Sequence, residues 1–210
     1  MSRRHNKPAA GDPLLTFLAA HNCELYSPLS QTDTTDWISG NQIEVYAQDS
    51  MVWDSTNNIW KFQHVNGQPY NNDQYAAKWQ LKTARPAQRT ILTCCAELLA
   101  YNVGDINSCY DVLPTRAGLG LYGTKNVITD SAQLFAPNGS GVTQIQYRNG
   151  TNVFTYLYGS ANIPAATYIR IATFHNSSQS AVTGPYGLRN FAFFSDPLTL
   201  DEINEYFSLI

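Results

Sequence analysis

Charge is what this 210-residue chain has least of. Asp, Glu, Lys and Arg make up 14% of it, against ~25% in an ordinary soluble domain. Neutral polar groups must therefore meet the water. The sequence is rich in Asn, Gln, Ser, Thr and Tyr, a make-up common on extracellular proteins. Long apolar runs are missing as well. No segment approaches the ~20 apolar residues of a membrane-spanning helix. Leu14 to Ala20 is short, and Pro8 and Gly11-Asp12-Pro13 precede it, so it reads as a helix start rather than a secretion signal. The expectation is a protein without a signal peptide, which would leave cells in a particle or by lysis. Cysteine is sparse: Cys23, Cys94, Cys95 and Cys109 show no C-x-x-C zinc spacing. The adjacent Cys94 and Cys95 would face opposite sides of a strand. They read as free, partly buried small hydrophobes, and the spacing neither indicates nor excludes a disulfide. Internal repeats and low-complexity linkers are absent too, which points to one main domain. A chain of this length can bury roughly 70% of its unfolded surface.

The few charges are unevenly placed. The net charge of −3 gives no electrostatic footprint for nucleic acid. Yet Arg3, Arg4 and Lys7 stand in an opening segment without a single acid, and the rest of the chain is correspondingly more acidic. Such an arm can dock on an acidic partner surface; a frayed polar terminus is the plainer alternative.

Asp12 has the chemistry of an N-cap and Pro13 that of a first-turn proline, which predicts a short helix from Pro13 to Ala20. After Asn22 the pattern is strand, turn, strand. Gln42–Ala47 alternates, with Ile43, Val45 and Ala47 on one face. Met51–Trp53 and Ile59–Gln63 flank a turn at 54–58, and Tyr75–Leu81 reads as a further strand. Thr90–Tyr101 is apolar on both faces, as a central strand is, although its Ala-Glu-Leu-Leu-Ala end equally suits a helix. Ala117–Tyr122 and Asn126–Ala136 follow. Val142–Arg148 and Thr151–Tyr158 flank Asn149-Gly150, the pair that supplies both positive φ angles of a type I′ hairpin turn. Tyr168–Phe174 and Leu188–Phe194 complete the set. Short strands at this spacing predict a sandwich. At the end, Thr199 and Glu202 form a capping box, and Leu200, Ile203 and Phe207 make an apolar stripe on a terminal helix.

The stretch from Gly187 to Tyr206 resembles the closing signature of the concanavalin A-like/laminin G-like superfamily, in which a last core strand runs into L-T-x-x-E-I-x-x-Y. Phe193, Phe194, Leu198, Thr199, Glu202, Ile203 and Tyr206 carry the match. Asp54-Ser-Thr-Asn-Asn-Ile-Trp-Lys-Phe resembles an early hairpin of the same family. The resemblance implies an all-β fold: a two-sheet antiparallel jelly-roll sandwich spanning 23–210, with a short N-terminal helix and a short C-terminal capping helix. Residues 1–22 would form the basic arm and its helix. The matching residues are structural, and the fold alone is silent on function. Proteins of this shape also resemble minor structural proteins of tailed bacteriophages, on head fibres, capsid decorations and tail appendages.

Catalytic patterns are wanting. The β-glucanases of the superfamily carry E-x-D-x-x-E, and a retaining mechanism needs its carboxyls ~5 Å apart; Glu97 stands alone, and Asp201, Glu202 and Glu205 fall on the terminal helix. His5, His21, His64 and His175 are scattered, without metal spacing. No G-x-S-x-G occurs, and Gly118-Leu-Gly-Leu-Tyr-Gly123 lacks the Lys and helix of a phosphate loop. Calcium has one candidate cluster in Asp105, Asn107 and Asp111 and another in Asn71, Asn72 and Asp73, and Asx turn capping explains the same residues without metal. For sugar, aromatic faces and amide groups coincide in Tyr70, Asn71, Asn72, Asp73 and Tyr75, and again at Tyr186. Trp53, Trp60 and Trp79 lie in strand patterns and read as core. The sequons at Asn138, Asn149 and Asn176 read as turn chemistry.

These observations lead to an expected non-enzymatic virion structural protein with a lectin-like domain, attached to other virion proteins through Arg3, Arg4 and Lys7 and adhering to host or environmental glycans. The expectation includes no nucleic-acid partner, no membrane span, no cofactor other than calcium, and a homo-oligomer formed through a sheet edge or an apolar face. The alternatives are a bacterial secreted or surface carbohydrate-binding module and, third, a glycan hydrolase.

Overall fold

A computed structural model of the chain describes residues 11–45, 49–62, 77–85, 89–97, 128–138, 141–160, 166–171 and 186–210. Helix α1 (Pro13–Ala20) leads into β1 (Cys23–Ser27), β2 (Glu44–Val45), β3 (Met51–Asp54), β4 (Ile59–Phe62), β5 (Ala77–Arg85) and β6 (Arg89–Glu97). Then come β7 (Thr129–Asn138), β8 (Gly141–Arg148), β9 (Thr151–Ser160), β10 (Ala166–Ile171), β11 (Tyr186–Phe194) and helix α2 (Leu200–Leu209). The described residues thus form antiparallel sheets with two short helices. One sheet has eight strands, ordered β3-β4-β11-β6-β7-β8-β9 with β1 also on β11; the other is β10-β5-β2. Thr90–Glu97 is strand throughout, as its β-branched start predicts.

Strand β11 is the spine. Its one edge pairs with β6; its other edge pairs first with β4, at Tyr186–Leu188, and then with β1, at Phe191–Phe194. The changeover falls at Asn190, whose φ of 52 places it in the left-handed region that Asn tolerates. The ladder to β6 shifts register there, as a β-bulge requires.

The large sheet is covered on both faces. On one face, Cys23, Tyr26, Leu92, Ala132, Leu134, Ala192 and Phe194 pack under Leu14, Phe17 and Leu18 of α1 and Ile203 and Tyr206 of α2. Phe17, Phe194 and Tyr206 meet at ring-centroid distances of 6.0–6.2 Å. On the other face, Phe191 stacks at 5.3 Å on Trp79 of the small sheet. Both side chains are buried, so the two sheets share a core at this point.

The local signals act as the sequence implies. The Asp12 carboxylate accepts from the backbone N–H groups of Leu14 and Leu15. Asn149 and Gly150 take φ 46 and 72 between β8 and β9. Thr199 and Glu202 close a reciprocal capping box. One expectation changes. Leu200 is not part of the buried stripe; it is 37% exposed, while Ile203 and Tyr206 are fully buried. Leu198, just before the cap, packs in the same cluster as Ile203. This is a hydrophobic staple, and it leaves Leu200 outside. Of the expected strand Gln42–Ala47, Glu44–Val45 form β2, and residues 46 and 47 lie outside the described residues.

Backbone and hydroxyl donors at Thr199 hold the Glu202 carboxyl below its ordinary value, with His21 helping at 3.4 Å. A carboxyl lowered on folding stabilises the native state above its unfolded pKa and loses that contribution as pH falls through the folded one. Thr199→Ala should cost about 1 kcal/mol in urea unfolding at neutral pH. The stability gap between wild type and Glu202→Gln should close on acidification; a pH-independent gap would show that Glu202 acts through packing.

Candidate functional site

Most of the sequence-predicted site residues fall outside the described residues: Tyr70, Asn71, Asn72, Asp73 and Tyr75, the calcium candidates Asp105, Asn107 and Asp111, and the arm residues Arg3, Arg4 and Lys7. Tyr186 is described in its backbone alone, as the first residue of β11, opposite Phe62 of β4 and Glu97 of β6. Among the described residues no three His, Cys, Asp or Glu gather as a metal site, and no helix is long and apolar enough to cross a membrane.

The described surface with the most ordered polar chemistry is the segment from Pro28 to Gln42, where the chain leaves β1. Asp36 organises it. Its buried carboxylate accepts from the backbone N–H groups of Tyr26, Ile38 and Ser39 at 3.0, 2.9 and 3.1 Å, and from the Ser39 hydroxyl. Asp33 accepts from the Thr35 N–H and from the Trp37 indole at 2.8 Å. Two more indoles reach the same segment: Trp60 donates to the Ser30 carbonyl at 2.8 Å and Trp79 to the Thr34 carbonyl at 3.3 Å. Two tryptophans from two strands, Trp60 of β4 and Trp79 of β5, thus tie one loop to the sheets, and Trp37 braces it from within.

Beside this loop lies the β3–β4 hairpin. Trp53 and Trp60 are register partners across it, edge to face, with centroids 5.4 Å apart and ring planes at 68°. The core assignment holds for Trp79, which is fully buried, whereas Trp53 and Trp60 are only partly so. For Trp53 the reason is position: among the described residues β3 is the outermost strand on that side of the large sheet. Alternation in the sequence reports which face a residue takes, but not how near the sheet edge it stands. The turn beyond is polar. Asp54 accepts from Thr56 N, Asn57 N and the Asn57 amide at 2.8–3.2 Å, and these bonds, the Asn57 amide foremost, hold its carboxyl below the ordinary range. Ser55, Thr56 and Asn58 are exposed.

The described thiols do not behave as nucleophiles. Cys23 and Cys94 are free and buried. Burial raises Cys23 well above the usual thiol value and pushes Cys94 up to about 11, with the Asp130 carboxylate acting in the same direction. Cys23 Sγ donates to the Leu25 carbonyl and Cys94 Sγ to Asp130. A thiol at that value is about one-thousandth ionised at pH 8. Iodoacetamide should therefore leave Cys23 and Cys94 unmodified in the native protein and label both after denaturation, as read by peptide mapping; native labelling of Cys94 would contradict the buried thiol. Asp36→Ala strands the buried Tyr26 N–H and removes charge-assisted bonds, and should cost about 3 kcal/mol in chemical unfolding.

No protein-family profile and no curated protein matches the chain. Solved structures do. The botulinum neurotoxin serotype D ligand binding domain, in complex with N-acetylneuraminic acid, superposes with a TM-score of 0.60 at 11% identity, over 91% of this chain and 52% of that one. The botulinum neurotoxin type G receptor binding domain gives a TM-score of 0.58 at 12% identity, over 90% of this chain and 51% of that one. The binding domain of Paraclostridial Mosquitocidal Protein 1 gives 0.57 at 11%, over 89% and 52%. The chain spans about half the length of the structures it matches, and at these identities the likeness is one of fold.

Proposed function

We propose that this chain is a non-enzymatic, lectin-like domain with a concanavalin A-like/laminin G-like jelly-roll sandwich, carried on a virion by its basic N-terminal segment and adhering to glycans. One observation carries the binding role: the fold matches, over about nine-tenths of the chain, domains named for binding, one of them holding N-acetylneuraminic acid. The sandwich reading is supported by the Trp79–Phe191 stack between the two sheets. The absence of E-x-D-x-x-E and of any nucleophile motif from the sequence favours binding over hydrolysis.

Attachment to a particle, as a capsid decoration, head fibre or tail appendage, rests on the sequence. Arg3, Arg4 and Lys7 open the sequence, and the rest of the chain is acidic, so this segment is suited to an acidic partner surface. Helix α1 belongs to the core of the large sheet. A deletion that tests the arm therefore stops at residue 10.

Glycan-array binding of the full chain, first with calcium and then with EDTA, tests the binding role. The expected outcome is selective binding. Loss of it in EDTA would show a metal requirement and move the Asp/Asn clusters at 71–73 and 105–111 from turn chemistry to candidate metal ligands, and silence in both buffers would overturn the lectin reading. Deleting residues 1–10 should abolish attachment to particles without changing glycan binding; unchanged attachment would remove the arm from the proposal.

A further inference from the structure

The sequence contains four tryptophans, and the structure treats one of them differently. The indole N–H groups of Trp37, Trp60 and Trp79 each have an acceptor in the Ser30–Thr34 segment. Trp53 has none among the described residues. It is partly exposed, stands on the outermost strand, and is steadied from one side by Trp60, itself fixed by its bond to Ser30. An edge-to-face pair covers at most one face of each ring. A buried indole normally finds a partner for its N–H; one steadied by a neighbouring ring, only partly buried and with no acceptor for that donor among the described residues is equipped for a ligand with a flat apolar face and a rim of acceptors.

A pyranose ring has that combination. Its axial C–H groups lie flat on an indole, and its hydroxyls accept and donate around the edge. The neighbouring turn offers matching polar groups in the exposed Ser55, Thr56 and Asn58, the last set by a φ of 55. Asp54 and Lys61, which interact electrostatically, bring charges of opposite sign and no net positive field for an anionic sugar.

We infer that Trp53, backed by Trp60 at the outer end of the large sheet, is a stacking platform for a neutral pyranose. This rests on the glycan-binding reading and adds to it a place and a sugar class. The class differs from N-acetylneuraminic acid, the anionic sugar held by one of the structural neighbours.

The test titrates the full chain with cellotetraose, lactose and methyl α-sialoside, followed by intrinsic fluorescence and calorimetry, and repeats it with Trp53→Ala and Trp53→Phe after checking thermal unfolding. At least one neutral sugar should bind and quench or shift the tryptophan emission. Trp53→Ala should weaken that binding about tenfold or more, equivalent to about 1.4 kcal/mol. Trp53→Phe keeps a ring and loses the N–H, so it should weaken binding about threefold; it carries the test alone if the alanine variant does not fold. Neutral-sugar binding unchanged within twofold in either folded variant would overturn the platform and leave the glycan-binding reading intact. Binding of the sialoside alone would overturn the neutral class. Failure of all three sugars here, with binding elsewhere on the array, would sink the platform only, and failure across the array would sink both readings.

Discussion

Strand β11 can border β4, β1 and β6 only because it bends at Asn190, and much of the architecture depends on that bend. A straight strand has two edges, each suited to one neighbour along its length. At Asn190 the backbone turns out of the ladder, so that β4 ends its pairing and β1 begins. Each polar group of the residue is then used. Its N–H donates to the Pro28 carbonyl at 3.0 Å, its carbonyl accepts from the Tyr206 hydroxyl at 3.0 Å, and its amide contacts the Tyr26 hydroxyl and the Cys94 sulfur. Burial raises both phenols, which keeps them protonated as donors. The left-handed conformation and the set of bonds explain why a residue with a short amide stands there.

The bend also ties the closing helix to the rest of the molecule. Tyr206 lies on α2, and its hydroxyl ends on Asn190, while its ring packs against Phe17 of α1 and Phe194 of β11. Thr90 extends the link: its hydroxyl donates to the Asp196 carbonyl and accepts from Leu198 N at 2.8 Å, setting the entry to the capping box. Cap, staple and tyrosine therefore form one connected device that closes a face of the large sheet. The motif through which the sequence resembles the laminin G-like superfamily is this same device, so its residues have structural work that accounts for them.

What was legible in the sequence was local. Asp12-Pro13, Asn149-Gly150 and Thr199-x-x-Glu202 each satisfy backbone groups within a few residues, and each acts in the structure as its chemistry implies. The bend at Asn190 was not legible, because it is fixed by Pro28, Tyr26 and Tyr206, far away along the chain. Nor was the difference among the tryptophans. Trp53, Trp60 and Trp79 share a strand pattern, and only strand order separates an outermost strand from the middle strand of the small sheet. The sugar and calcium candidates drawn from composition lie outside the described residues, apart from the backbone of Tyr186, so that part of the sequence reading stands on its own chemistry.

The placement of the indoles brings these strands together. The loops of this chain are ordered by a few carboxylates and by indoles, and the indole N–H is a donor that comes with a large apolar body. Trp37, Trp60 and Trp79 use both properties at once, with the ring packed and the N–H spent on the Ser30–Thr34 segment. That segment in turn begins at Pro28, whose carbonyl holds Asn190. The same constraint that bends the central strand thus positions the loop, the loop fixes Trp60, and Trp60 fixes the ring of Trp53. Rigidity passed outward along this path gives the partly buried ring of Trp53 a single orientation, and a preorganised face binds a weakly held sugar at lower entropic cost than a mobile one.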